Sequence, residues 1–156
     1  PLARLRAAQE ELPRIADELE HRGQALRREI LLAAAAPDSA EGSVMAACLH
    51  HPRHIAGDGR LETLIMEALP ERVFAKTGAE GGFALALARE GLGVALKIED
   101  GASRALGPAI LEALQQLGVL SAEAQKSLAP QWRPMLYNHR KQEVGLLRPV
   151  LTLVAG

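Results

Sequence analysis

The sequence predicts an α+β domain in which an antiparallel sheet is flanked by helices. Two observations lead to this prediction. Residues 72–99 contain three short apolar runs separated by short turns that end in glycine, and links of this kind join antiparallel neighbours. On both sides of this stretch, leucine, isoleucine and alanine recur at the spacing of helices with one buried face. The predicted sheet is therefore a three-stranded meander plus a C-terminal strand.

Residues 1–36 are predicted to form a helical arm. Its leucines and isoleucines recur at three, four or seven residues, with arginine and glutamate between them. Such a helix can pack on the domain through its apolar face, or its heptad-like leucines can bind a partner helix. Residues 37–43 contain proline, serine and glycine and are predicted to be a linker. The α+β domain is expected to occupy residues 44–156.

Two short helices are expected to precede the sheet. Residues 43–51 and residues 61–69 are both rich in apolar side chains, and a proline follows each stretch directly. Proline ends a helix because it lacks the backbone N–H and clashes with the preceding turn. The glycines of residues 56–60 predict a turn between the two helices.

Cysteine and histidine side chains crowd together at the end of the first of these helices. Both residue types bind zinc, but Pro52 interrupts the helical spacing and no second Cys/His pair follows downstream. We therefore predict ordinary helix-end histidines, with no metal site and no cofactor. The residues concerned are Cys48, His50, His51 and His54.

The three strands are predicted at residues 72–78, 82–87 and 91–99, as consecutive neighbours in the sheet. The second run alternates phenylalanine and leucine with alanine, and the third alternates larger apolar residues with glycine, alanine, lysine and glutamate. A period of two is typical of strands that bury one face. The meander should therefore have one face of large apolar side chains and one of small or charged residues.

Apolar residues recur at helical spacing over residues 102–118. The helix that they predict is expected to cover the large-residue face of the sheet, to which Val94, Leu96 and Ile98 point. Pro108 lies within this stretch and predicts a kink or a late start of the helix.

The C-terminal part offers weaker signals. Residues 121–128 predict a further short helix. Residues 144–147 and 150–154 can supply one or two more strands, and Pro149 favours a sheet edge or a bulge there.

Composition excludes several classes of function. The chain has 156 residues, 48% of them hydrophobic, and a formal net charge of −1, so no basic excess exists to bind nucleic acid. The longest apolar run, residues 30–36, is too short to span a membrane, and no signal peptide is recognised. A single cysteine makes no internal disulfide, which favours a reducing cytoplasm. The first residue is proline, so the chain is expected to be a fragment or a processed product.

Six short motifs follow one another in a recognisable order. They are His51-Pro52, Ala56-Gly-Asp-Gly-Arg60, Lys76-Thr-Gly-Ala-Glu-Gly81, Gly91-Leu-Gly-Val-Ala-Leu-Lys97, Asp100-Gly-Ala-Ser-Arg104 and Glu143-Val-Gly145. Together they resemble the C-terminal half of the asparaginase II family, which comprises L-asparaginases whose fold is similar to that of serine β-lactamases. The resemblance covers residues 44–149.

The resemblance implies hydrolysis of L-asparagine to L-aspartate and ammonia. Family members carry the S-x-x-K serine and lysine, as nucleophile and base, in an N-terminal half, whereas this chain contains no S-x-x-K. Some members bind zinc through cysteines; one of these aligns with Glu62, and the motif that carries the others is absent here. The expected function is an L-asparaginase-like amidohydrolase, in the form of a partial chain that is inactive alone.

The resemblance assigns catalytic roles to Lys76 and Thr77. Lys76 supplies positive charge and assists proton transfer, and Thr77 offers a hydroxyl to the substrate carboxylate. Gly78 allows close approach of the backbone, and the backbone N–H of Ala79 is the candidate oxyanion donor. Glu80 joins this substrate-binding group. From alternation alone, by contrast, Lys76 is a solvent-facing lysine at a strand end.

A second polar group, Lys97, Asp100 and Arg104, follows the third strand and is also assigned to substrate binding. Arg104 can hold a carboxylate bidentately. Alternatively, Asp100 caps the following helix and Arg104 is solvated. The sequence favours neither arrangement.

Three functions therefore remain open. The first is an asparaginase-like enzyme that acts on L-asparagine and is completed by an N-terminal half. The second is a non-catalytic interaction module that descends from the family and binds a partner, or a second copy of the chain, through residues 1–36. The third is serine acyl transfer of the penicillin-binding type, which shares the K-T-G strand but has no other support in the sequence.

Overall fold

A computed structural model describes residue 36 and residues 38–154, so residues 1–35 of the predicted arm lie outside the described residues. The chain divides into two units, residues 1–43 and residues 44–156. The predicted α+β class is confirmed: the second unit contains a three-stranded antiparallel sheet, a separate two-stranded hairpin and helices before and after the sheet.

From residue 38 onward, three helices precede the sheet: α1 (Ala40–His50), α2 (Pro52–Ala56) and α3 (Leu61–Ala68). Helix α1 takes in residues that composition assigned to a linker, because the Ser39 hydroxyl caps it by accepting a hydrogen bond from the Gly42 N–H at 3.0 Å. The proline after α1 occupies the first turn of α2, where its missing N–H costs nothing.

The meander is confirmed. Its strands are β1 (Val73–Thr77), β2 (Gly82–Leu87) and β3 (Leu92–Lys97), and they are antiparallel neighbours in that order. The glycine turns allow the tight reversals between them: Gly81 and Gly91 have φ values of +71° and +61°, which glycine adopts without steric cost.

The two faces of the sheet differ as the alternation predicts. One face carries the buried side chains of the core. The other carries Phe74, Lys76 and Lys97 around a surface of small residues. Following the register of paired residues, these are Gly82, Ala84, Ala86, Gly93 and Ala95.

Two helices follow the sheet. After a 3₁₀ turn at Ser103–Ala105, helix α4 runs over Leu106–Gln116 with its proline in the first turn, which confirms the predicted late start. Helix α5 (Ala122–Trp132) is longer than predicted and continues through a proline near its end. Its first turn is capped by the Ser121 hydroxyl, which accepts from the Ala124 N–H at 3.2 Å.

The C-terminal strand does not extend the meander. Strands β4 (Met135–Tyr137) and β5 (Glu143–Leu146) pair with each other in a second sheet. Their turn is closed by the Asn138 side chain, whose Oδ1 accepts from the N–H groups of Arg140 and Gln142. Residues 150–154 form no strand. Strand β4 has only three residues, which is too short for alternation to be read in the sequence.

One apolar cluster holds the second unit together. Helices α3, α4 and α5 and the large-residue face of the meander contribute to it, and the three side chains predicted to point under the following helix pack against it, although they are only partly buried. Its fully or almost fully buried members include Ile65, Val73, Leu87, Ile110, Leu111, Leu114 and Leu128. Between residues 38 and 154, no helix has the length and apolar character needed to cross a membrane.

Candidate functional site

The Lys76-Thr77-Gly78 segment lies where strand β1 ends. Pairing with β2 continues for one residue beyond the strand, because the Gly78 N–H donates to the Gly82 carbonyl at 2.9 Å. Gly78 is exposed, and a methyl group placed on it would meet nothing closer than the Gly82 backbone at 3.8 Å. The fold itself therefore tolerates a side chain at position 78.

The turn after this segment presents a free backbone donor. The Ala79 carbonyl accepts from the Gly82 N–H at 3.1 Å, but the Ala79 N–H has no acceptor among the residues that the structure describes, and Ala79 is exposed. Glu80 follows with a φ of +52°, a left-handed conformation that is uncommon outside glycine. The predicted oxyanion donor is thus available to a ligand.

Lys76 and Lys97 lie on the same face of the sheet. Lys76 pairs with Ala84, which pairs with Ala95, and Lys97 stands opposite Gly82. With this register the two lysine Cα atoms are about 12 Å apart, and the backbone between them is covered only by small residues. Both ammonium groups donate to backbone carbonyls, of Thr77 at 3.0 Å and of Glu80, and in the described part of the chain neither contacts a carboxylate.

The second predicted polar group gathers beside the end of β3. Lys97, Asp100 and Glu80 line a depression of about 390 Å³. Asp100 accepts from the Ala102 N–H at 2.9 Å and from the Arg104 guanidinium, and both contacts, the first more strongly, hold the pKa of this exposed carboxyl below its usual value. Arg104 is therefore paired with Asp100 rather than open to a ligand, while Lys97 remains unpaired with any acid of the described residues.

A buried carboxylate lies under the Lys76–Gly78 segment. Glu62, in the first turn of α3, is only 1% exposed, and its Oε1 accepts from the Thr77 N–H at 3.1 Å. Its Oε2 is buried and has no hydrogen-bond partner among the described residues, and Arg60 Nε lies 4.0 Å away. Burial raises the pKa of Glu62, but the nearby Thr77 hydroxyl, the backbone N–H groups and the charge of Arg60 together outweigh burial, so the pKa lies below its usual value.

The sequence predicts no place for Glu62 in the site. The spacing of apolar residues predicts a buried face at positions 61, 64, 65, 68 and 69 of this helix, whereas the most buried side chains of α3 are those at 62, 63, 65 and 66. The signal was present, because Glu62 lies three and four residues before Ile65 and Met66, the spacing that puts side chains on one face of a helix.

The described residues do not fit a zinc site. They contain no group of three histidine, cysteine, aspartate or glutamate side chains that could hold a metal ion. Glu62 belongs to no such group. The crowded histidines line a separate depression of about 470 Å³, where His50 Nδ1 bonds the Ala46 carbonyl and the rings of His51 and His54 are 5.6 Å apart.

These features define an α+β protein with a candidate site for a small anionic ligand at one end of its sheet. The family model of L-asparaginase II matches residues 11–149. The chain therefore belongs to the L-asparaginase II family, whose substrate is a small molecule. The match begins further towards the N-terminus than the resemblance carried by the six motifs, which was expected to cover residues 44–149. No curated protein matches the chain significantly.

Proposed function

We propose that this chain is an L-asparaginase-like amidohydrolase, which acts in the hydrolysis of L-asparagine to L-aspartate and ammonia, and that Lys76, Lys97 and the Ala79 N–H bind the amino acid. One observation carries the proposal: two lysines share an open face of small residues, and neither they nor the nearby Ala79 N–H has an acidic partner or an acceptor, respectively, within the described part of the chain. An anion placed there gains charge-assisted hydrogen bonds without breaking an existing ion pair.

Each residue has a role in this proposal. Lys76 supplies positive charge beside the reacting amide and assists proton transfer. The Ala79 N–H stabilises the developing oxyanion, and Lys97 attracts the substrate carboxylate. Thr77 alternates with Lys76 in β1, so its side chain lies on the other face of the sheet, beside Glu62, and it contributes through its backbone. The open space at Gly78 lets the ligand approach the backbone closely.

The nucleophile is not among these residues. No serine of the chain has a lysine three positions later, so we expect the serine and its base to come from a complementing segment, arranged as in a fold similar to that of serine β-lactamases. The pure chain should therefore release no ammonia from L-asparagine above an empty-vector control. Turnover would instead show that another residue, with Thr77 as the first suspect, serves as nucleophile.

Binding can be measured without turnover. Titration of the ¹⁵N-labelled chain with L-aspartate, the reaction product, should shift the amide resonances of residues 76–80 in a saturable way. Lys76→Met keeps the aliphatic stem and removes the charge, so affinity should fall about tenfold or more, the loss expected for one charged hydrogen bond. The melting temperature should change little, because Lys76 is exposed.

A matched control is Lys126→Met, which removes an exposed lysine from α5. It should leave both affinity and melting temperature unchanged. Equal losses of affinity in the two variants would show that the effect of Lys76→Met comes from the overall charge of the chain. That result would contradict the proposed site.

The interaction module remains a second candidate, because the hairpin β4–β5 exposes an unusual amount of apolar surface. All seven of its strand residues are exposed, among them Tyr137 at 56% and Val144 at 60%. Exposed apolar groups of this size are typical of protein contacts. If the chain binds neither L-asparagine nor L-aspartate, yet associates with itself or a partner through this hairpin, the module is the better description.

A further inference from the structure

Glu62 makes few polar contacts for a carboxylate that is almost fully buried. Its side chain accepts one direct hydrogen bond, from the Thr77 N–H at 3.1 Å, and no described residue donates to its other oxygen. A buried carboxylate oxygen without a donor costs free energy, so packing alone does not account for this side chain. Its one hydrogen bond among the described residues ties it to the segment that carries Lys76.

The contrast with Glu90 shows what a purely structural carboxylate looks like in the same sheet. Glu90 also has one buried oxygen without a partner. Its other oxygen, however, receives two N–H groups of Arg72, so its charge is matched by a cation in direct contact. The nearest cation to Glu62 is Arg60, whose Nε stays 4.0 Å away and whose side chain is 60% exposed. The negative charge of Glu62 is therefore matched only loosely.

The site thus combines two unpaired cations above the sheet end with one loosely matched anion beneath it. An α-amino acid has a complementary pattern, because its carboxylate is negative and its ammonium group positive. A dicarboxylate without the ammonium group would gain from the lysines but gain nothing from Glu62. Fixed charges of this kind discriminate between ligands more than they add to total affinity.

We infer that Glu62 is a positioning residue that makes the site selective for zwitterionic α-amino acids. It fixes the Thr77 N–H, and with it the direction of Lys76 and Gly78, and its charge favours a ligand that carries an ammonium group. This inference rests on the proposed function, since it concerns the ligand of the same site.

The test compares two ligands that differ in the ammonium group alone. L-Aspartate and succinate share both carboxylates, so the ratio of their dissociation constants isolates the contribution of the ammonium group. Glu62→Gln keeps the size and one acceptor oxygen but removes the charge. We expect it to weaken L-aspartate binding about tenfold while succinate binding changes less than threefold, so the preference for L-aspartate falls.

Two further variants test whether the change in preference comes from the charge of Glu62. Glu90→Gln is the matched control, because it neutralises the other carboxylate with a buried unpartnered oxygen, and it should leave the ratio unchanged. Arg60→Gln removes the exposed cation near Glu62 Oε2 without disturbing the core. It should raise the preference for L-aspartate two- to threefold, and it provides the measurement even if Glu62→Gln fails to fold.

A readout without ligand separates this inference from the proposed function. In the wild-type chain the Thr77 amide resonance should shift as Glu62 takes up a proton, and in Glu62→Gln it should not. Suppose that the wild-type chain binds L-aspartate, and that neither Glu62→Gln nor Arg60→Gln changes the ratio of the L-aspartate and succinate dissociation constants. This result overturns the inference and leaves the proposed function standing. A wild-type chain that binds neither ligand overturns the proposed function, and the selectivity with it, even where the Thr77 resonance titrates.

Discussion

The charged side chains at the two ends of the meander are arranged in opposite ways. At the end where β1 begins, Arg72 bonds Glu90 of the β2–β3 turn and also donates to the Val119 carbonyl at 2.9 Å, and both charged side chains are mostly buried. At the end where β1 finishes, Lys76 and Lys97 contact no carboxylate of the described residues. The first end is closed by its ion pair, and the second is open.

The difference separates stability from ligand binding. A half-buried ion pair with several hydrogen bonds ties three loops together, and breaking it leaves a charge without its partner. Unpaired cations on an exposed surface contribute little to the free energy of unfolding, but they are free to bind an anion. The closed end should therefore respond to mutation mainly in stability, and the open end mainly in ligand affinity.

The largest expected effect lies in the core beneath the two ends. Leu87, paired with Val73 at the closed end, is fully buried, whereas Leu96, paired with Phe83 at the open end, is only partly buried. Leu87→Ala should lower the free energy of unfolding by about 2–5 kcal/mol, because it removes apolar contacts and leaves a cavity. Leu96→Ala, which the sequence would place in the same range, should cost less.

Urea denaturation of both leucine variants measures the difference. Equal losses would show that the open end is packed as tightly as the closed end, and the comparison would then fail.

The next effect is expected at the ion pair of the closed end. Arg72→Met keeps most of the aliphatic stem but leaves Glu90 without a cation and the Val119 carbonyl without this donor. We expect a loss of about 1–3 kcal/mol in the free energy of unfolding, below the range for a fully buried pair because both side chains are about a quarter exposed. The L-aspartate affinity of the folded fraction should stay unchanged, and a large loss of affinity would contradict the division between the ends.

Two glycines in the turn between β1 and β2 allow the same comparison of stability with ligand binding, with smaller expected effects. Gly81 has a φ of +71°, and a methyl group there would lie 2.9 Å from the Ile98 Cβ. Gly81→Ala should therefore cost about 2 kcal/mol, from the left-handed backbone and the clash together. Gly78→Ala meets no such obstacle and should leave the melting temperature unchanged while it weakens L-aspartate binding. A destabilised Gly78→Ala variant would mean that this glycine serves the fold rather than the ligand.

The sequence predicts the meander almost to the residue, because alternation and glycine turns are local signals that specify strands and their neighbours. It also singles out Lys76 and Lys97, but as members of two separate polar groups, and only the register of the strands brings them to one face of the sheet. It does not predict the pairing of Arg104 with Asp100, nor the place of β5 in a second sheet, because both depend on contacts that alternation does not encode. The burial of Glu62 was missed for a related reason: it depends on which side of α3 meets the sheet.

The smallest effect is a dependence of stability on pH that both carboxylates share. The pKa of Glu90 is lowered chiefly by the hydrogen bonds from Arg72. The pKa of Glu62 is lowered on balance, since its hydrogen bonds outweigh the opposing effect of burial. A group whose pKa is lower in the folded chain binds its proton more readily in the unfolded chain. Its stabilising contribution is therefore complete above the ordinary glutamate pKa of about 4.3 and is lost as the pH falls towards the folded value.

Thermal unfolding between pH 6 and pH 3 should show this loss of stability. Glutamine variants of Glu62 and Glu90 should show how much of the loss comes from each end of the sheet. Glu90→Gln removes a titrating group, so its melting temperature should fall less steeply with pH than that of the wild type, from a lower starting point at pH 6. Glu62→Gln should flatten the curve in the same way but retain more stability at pH 6, because the amide oxygen can still accept from Thr77 and no direct ion pair is broken. If Glu62→Gln proves the more destabilised of the two at pH 6, the carboxylate of the open end is a structural group, and the contrast between the two ends of the sheet does not hold.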